Sequence, residues 1–270
     1  MLGRLFNQVR LRRDAAAVAR RAIPDDLWKR TLARHPFLQR RDAADAAELR
    51  RLTSLFLDRK EFSAAGGLRL SDAMVVTIAA QAVLPVLRLG LSGYDGFVGI
   101  VVHPGQVVAR REVTDEEGLV HAYDEVLAGE AMEGGPVMLS WHDVRLSAPL
   151  AARGYNVVIH EFAHVLDMAD GLADGVPLLP PHIARGEWIA TLHAEFEAFV
   201  ARVDLLGDGA PQPALDPYGA EGREEFFAVA SEAFFVNAGA FKAEHPVLYD
   251  LFSRFYGQDP TDDVPLARRR

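Results

Sequence analysis

The stretch NVVIHEFAHVLDM, from Asn156 to Met168, places the tightest constraint on how this chain can fold. Its apolar residues recur at helical spacing, and Asp170-Gly171 supplies a stop signal just beyond it. A helix this apolar has to be buried, yet it carries His160, Glu161 and His164 in its middle. Imidazole nitrogens taken out of water need partners. Residues four apart on a helix point the same way, so the two rings can share one metal ion. Glu161 then lies beside a metal-activated water, where a carboxylate can remove a proton. His-Glu-x-x-His within a helix is therefore a pattern for metal-assisted hydrolysis, and one zinc ion per chain is the expected cofactor.

A catalytic zinc site takes three protein ligands and keeps one position open. Two candidates compete for the third place. Asp170 follows His164 by six residues, as in compact sites where a glycine three residues after the second histidine turns the chain back. Here that position is Asp167, and a non-glycine residue rarely takes the left-handed conformation such a turn requires. Glu232 is the only charge in FFAVASEAFFV, residues 226–236. A carboxylate buried there needs compensation, and with the histidines it completes a two-histidine, one-glutamate set. Glu232 is the stronger of the two. Asp167 shares the histidines' helical face and reads either as a carboxylate supporting an imidazole or as an ordinary acid near a helix end. Glu225, two turns before Glu232, reads as a supporting acid, a receiver for a substrate amine, or a surface acid. Tyr218, in the loop before that helix, is a candidate donor to a developing oxyanion, against the plainer reading of a structural tyrosine.

The 270 residues are half apolar, enough for a substantial core, and contain no cysteine, which excludes disulfides and thiol chemistry. The net charge of −9 argues against nucleic-acid binding by the whole molecule. Arginines at 10, 12, 13, 20, 21, 40 and 41 read as a solvated helix face, and Arg268, Arg269 and Arg270 as a frayed tail. The most apolar run, Ala73 to Leu91, is broken by Thr77, Gln81, Pro85 and Arg88, so it reads as a core helix and no membrane contact is expected. With no signal-peptide pattern at the start, the expected location is cytoplasmic.

Residues 1–62 read as helical, Gly66-Gly67 punctuates, and Ser71 caps the apolar helix. The period changes over Phe97 to Val102, Gln106 to Val113 and Pro136 to Trp141, which read as strands of a small sheet. Pro136 to Trp141 is read as either an ordinary core strand or an edge against which an extended peptide lies. Helices return near Asn156–Met168, Glu187–Val203, Arg223–Asn237 and Pro246–Tyr256. The expected fold class is α+β without βαβ rhythm, mainly helical with a small β-sheet and additional N-terminal helices. One domain is expected over residues 1–270, comprising a helical part (1–62) and a catalytic core (63–260).

LSWHDV (139–144), NVVIHEFAHVLDM (156–168), FFAVASEAFF (226–235) and LSDAMVVTIAAQA (70–82) together resemble the Mlc titration factor A family. Its members are bacterial cytosolic zinc peptidases whose zincin-type catalytic core is related to that of anthrax lethal factor. The resemblance covers most of residues 60–260. It implies zinc ligands at His160, His164 and Glu232, with Glu161 as the base. It also implies aminopeptidase-like activity on short peptides and binding to the transcriptional repressor Mlc. Two other readings stand beside it: a regulatory protein that sequesters a transcription factor, and a zinc site kept only for structure.

Overall fold

The computed structural model describes residues 2–114, 120–205 and 213–261. Arg268–Arg270 and the first part of the loop before Gly222 lie outside the described residues. The first 59 residues form three helices: α1 (Leu2–Arg20), α2 (Asp25–Arg34) and α3 (Ala43–Arg59). Asp42 caps α3 by accepting the Asp45 amide at 2.8 Å. Helix does not run to residue 62, because Lys60 is already extended and strand β1 occupies Glu61–Ala64. Gly66 and Gly67 then turn the chain at φ +58° and +77°, and Ser71 caps α4 (Asp72–Ala82). The apolar run leaves helical form after Ala82, short of Pro85, although its residues remain in the core.

A single βαβ unit stands within the sheet. Strands β1 and β2 (Gly99–His103) pair in parallel across α4, and β2 pairs in parallel with β6 (Val137–Ser140). Between them, β3 (Val107–Thr114) and β4 (Val120–Leu127) make a separate antiparallel hairpin, followed by the short β5 (Gly129–Ala131). The four-stranded sheet runs β1-β2-β6-β5. Pro136–Trp141 thus contains an inner strand, buried along its whole length, and the edge next to it is β5.

After β6 come α5 (Trp141–Leu150) and α6 (Val157–Asp167), and then α7 (Arg185–Asp204), α8 (Arg223–Val236), α9 (Ala238–Glu244) and α10 (Pro246–Tyr256). The result is a mainly helical α+β fold with a small mixed sheet. One cluster of buried side chains runs from Ala17 to Tyr256. None of the described helices is long and apolar enough to cross a membrane.

Helix α6 lies against α4, α8 and β5, with opposite faces doing different work. Phe162 sits about half a turn from both histidines, so it points the other way. Its ring meets Tyr94, Phe56 and Phe97 at 5.1, 5.6 and 5.8 Å between centroids. Burying a ring of this size is worth about 3 kcal/mol, which ties the helix to the core while His160 and His164 face a cleft.

Candidate metal centre

The start of α6 is set by a buried polar chain. Asn156 caps the helix, its side-chain oxygen accepting the Ile159 amide at 3.0 Å. Its amide nitrogen donates to Gln81 of α4 at 2.8 Å, and its backbone N–H donates to the Glu232 carboxylate of α8. Glu232 in turn pairs with Nδ1 of His160 at 2.8 Å. With Nδ1–H donated to Glu232, the lone pair of His160 lies on Nε2, facing the cleft.

On that side three ligand atoms converge. Nε2 of His160 and Nε2 of His164 are 3.1 Å apart, and Oε2 of Glu225 lies 3.1 and 3.4 Å from them. Among the described residues this is the one group able to hold a metal ion. The same Glu225 oxygen is buried without a hydrogen-bond partner, as expected of an atom placed for a cation. Although burial opposes the charge, the adjacent His160 and His164 imidazoles hold the Glu225 carboxyl well below the usual range. His160 is likewise raised above its ordinary value despite burial, by Glu225 and Glu232. Two imidazole nitrogens and a carboxylate suit zinc.

The sequence reading took Glu232 as the third ligand; the geometry brings Glu225 to the two Nε2 atoms instead. Glu225 stands beside both Nε2 atoms, whereas Glu232 binds the opposite ring nitrogen of His160 and is satisfied there and by the Asn156 N–H. The physical signal was available in the burial. Glu232 is 3 % exposed within a run of buried residues, an environment for a carboxylate held by protein donors rather than one sharing an open position. Glu225 sits in the first turn of α8, half-buried at the cleft. Asp170 takes no part: it accepts the Leu172 N–H at 3.3 Å and lies 3.6 Å from Arg185. Asp167 is fully buried and accepts the Gly175 N–H at 2.9 Å, tying down the loop after α6; no bond to His164 forms. Burial pushes its carboxyl up to about 7.

Glu161 is 5 % exposed and lines the same cleft. Burial, only partly offset by the two histidines, pushes its carboxyl up to about 6. Gly129 of β5 lies directly against it, and a Cβ there would come within 2.6 Å of the Glu161 Cδ and Cγ. Tyr218 is 41 % exposed, with its ring 6.1 Å from that of His160. A cavity of about 510 Å³, bounded by Leu127, Tyr155, Val157 and Tyr218, adjoins the first histidine, and a space of about 230 Å³ lies over the three ligands.

Two histidines and a glutamate from two helices, with a buried glutamate beside an open cleft and an edge strand, are an arrangement suited to a metallopeptidase. A family profile described as glucose-regulated metallo-peptidase M90 matches residues 8–257, and the chain belongs to that family. It is 37 % identical over 238 residues to Mlc titration factor A of Salmonella arizonae, covering 88 % of this chain and 92 % of the relative. The namesake of Klebsiella pneumoniae is 37 % identical over 244 residues (90 % and 88 % of the two chains). That of Cronobacter sakazakii is 38 % identical over 234 residues, 86 % of each.

Proposed function

We propose that this protein is a cytoplasmic, single-domain zinc peptidase that hydrolyses peptides lying along β5. The observation that carries the reading is the convergence of His160 Nε2, His164 Nε2 and Glu225 Oε2 at the floor of an open cleft. His160, His164 and Glu225 would hold the zinc, which when bound supplies a Lewis acid that polarises a carbonyl and acidifies water. Glu161 accepts the proton of the attacking water and delivers it to the leaving amine; a carboxyl near 6 suits both tasks close to neutrality. Glu232 holds His160 in the tautomer whose Nε2 faces the cleft. Tyr218, which lines the same space, donates to the carbonyl oxygen as charge develops. The free edge of β5 pairs with the substrate backbone, while Gly129 keeps side-chain bulk away from Glu161.

Aminopeptidase-like cleavage of short peptides is the minimal activity proposed. It is supported by the family resemblance and by Glu224, which lines the cleft beside Glu225 and suits an α-ammonium group. A second reading, regulatory binding of a repressor such as Mlc, draws on what the relatives' name says of them. Glu161→Gln separates the two. It keeps shape but cannot accept the proton, so zinc should stay bound while turnover falls at least about 10²-fold. Titration of the same variant with the repressor reads binding directly. Full hydrolysis by zinc-bound Glu161→Gln removes Glu161 as the base. Lost hydrolysis with intact repressor binding assigns the two roles to separate surfaces.

A further inference from the structure

A larger cavity lies beyond the metal cleft. It has a volume of about 810 Å³, within the range of specific ligand sites, and the proposed chemistry does not use it. It opens at the C-terminal ends of α6 and β5. Met168 lines both this cavity and the space over the ligands, and neighbours along the chain divide between them: Ala131 and His164 on the cleft side, Met132 and Val165 on the far side. The two spaces therefore adjoin at Met168.

The cavity's mouth is apolar and open to water. Leu178 and Met132 are 61 % and 45 % exposed, a cost that apolar side chains on a water-soluble surface repay when something covers them. Its walls are built in advance. On one side the ammonium of Lys60 donates to the carbonyls of Tyr94 and Phe97 and stands 3.8 Å from the Phe97 ring centroid, fixing the turn that bears Gly93 and Gly96. On the other, the segment leading to Leu178 is pinned at Gly175 by Asp167 and by the Trp188 indole N–H, at 2.9 Å each. A preformed pocket loses little entropy on binding.

Strand direction decides which part of a substrate arrives there. Strand β5 runs from Gly129, against Glu161, toward Met132 at the cavity. A peptide added antiparallel to it runs the other way, so residues before the scissile bond lie toward the cavity. Gly129 to Met132 spans roughly 10 Å, the rise of about three extended residues.

We propose that this cavity binds apolar side chains two to three residues N-terminal to the cleaved bond, so that the protein's preferred substrates are peptides cut internally after an apolar segment. This rests on the peptidase reading, and it extends the minimal exopeptidase activity. The test uses zinc-loaded protein and internally quenched ten-residue peptides that differ only at those two positions, leucine and phenylalanine against glycine and aspartate. Mass spectrometry locates the cut. The apolar peptide should be cleaved with a kcat/KM about ten- to hundredfold higher than its glycine sibling. Ala169→Trp, which fills the cavity from an exposed position, and Leu178→Asp, which puts a charge in its mouth, should each bring that ratio close to one. Because the ratio is internal to each variant, a general loss of activity does not imitate the effect. Anisotropy of the labelled peptides on Glu161→Gln reads the same preference without catalysis. Equal cleavage and equal binding of both peptides would overturn the cavity's role and leave the peptidase standing. Discrimination in binding with no hydrolysis by the zinc-loaded wild type would overturn the peptidase reading and keep the peptide site.

Discussion

Gly129→Ala is a one-carbon perturbation aimed at the proposed base without touching a ligand. Residue 129 has no positive φ, so alanine is conformationally acceptable, and the strand pairing of residue 129 with Leu139 can persist. The added Cβ would lie 2.6 Å from the Glu161 Cδ and Cγ. Ordinary carbon contacts start at about 3.5 Å, so the carboxylate or the strand must give by roughly 0.9 Å. Glu161 has little room to yield, being 5 % exposed on a helix packed on both sides. Overpacking of this kind costs about 1–3 kcal/mol of stability, and displacing a catalytic group by about 1 Å lowers turnover on the order of 10²-fold. The variant should therefore fold with a somewhat lower Tm, bind zinc as the parent does, and lose about two orders of magnitude in kcat on a fluorogenic peptide. The assay needs all three readings on one preparation. Parental kcat in Gly129→Ala would refute the reasoning, because a base held against residue 129 could not stay in register. Loss of zinc would refute it differently, by showing that β5 supports the ligands.

The two glutamates of α8 should separate cleanly in zinc titrations. Glu225→Ala should abolish tight binding, whereas Glu232→Gln, which disturbs only the support of His160, should weaken it about 10- to 100-fold; the reverse order would restore Glu232 as the ligand. Asn156→Ala removes the cap of α6 and the bond to Gln81, and should cost about 1–2 kcal/mol in urea denaturation of the metal-free protein, with an unchanged midpoint contradicting the polar chain described above.

The helices carrying the site were readable because periodicity and caps agree. Asn156 begins α6 as its position before an apolar run suggests, and Pro246–Tyr256 forms helix α10 over the bounds expected from its amphipathic spacing. The sheet was harder. Strand β5 is three residues long and contains a glycine, so it leaves no alternating pattern, and its edge position depends on pairing with a strand that follows it in sequence. Helix α9 is one short element wedged between two longer ones and carries no separate signal. Two of the three atoms at the candidate metal centre belong to His160 and His164, whose four-residue spacing is legible in the sequence. Glu225 and Glu232 lie two turns apart on one face of α8, and helical phase alone cannot say which reaches the cleft. The depth at which each is buried decides it, and burial is a property of the packed molecule.

The most direct test is metal content read together with hydrolysis. Protein purified without added metal should carry about one zinc per chain by elemental analysis, since three ligands and one open position make one catalytic site. Removing that zinc with a chelator should abolish peptide cleavage, and one equivalent should restore it. A protein that binds no transition metal even when zinc is supplied, or that cleaves peptides equally well after complete removal of the metal, would contradict the account.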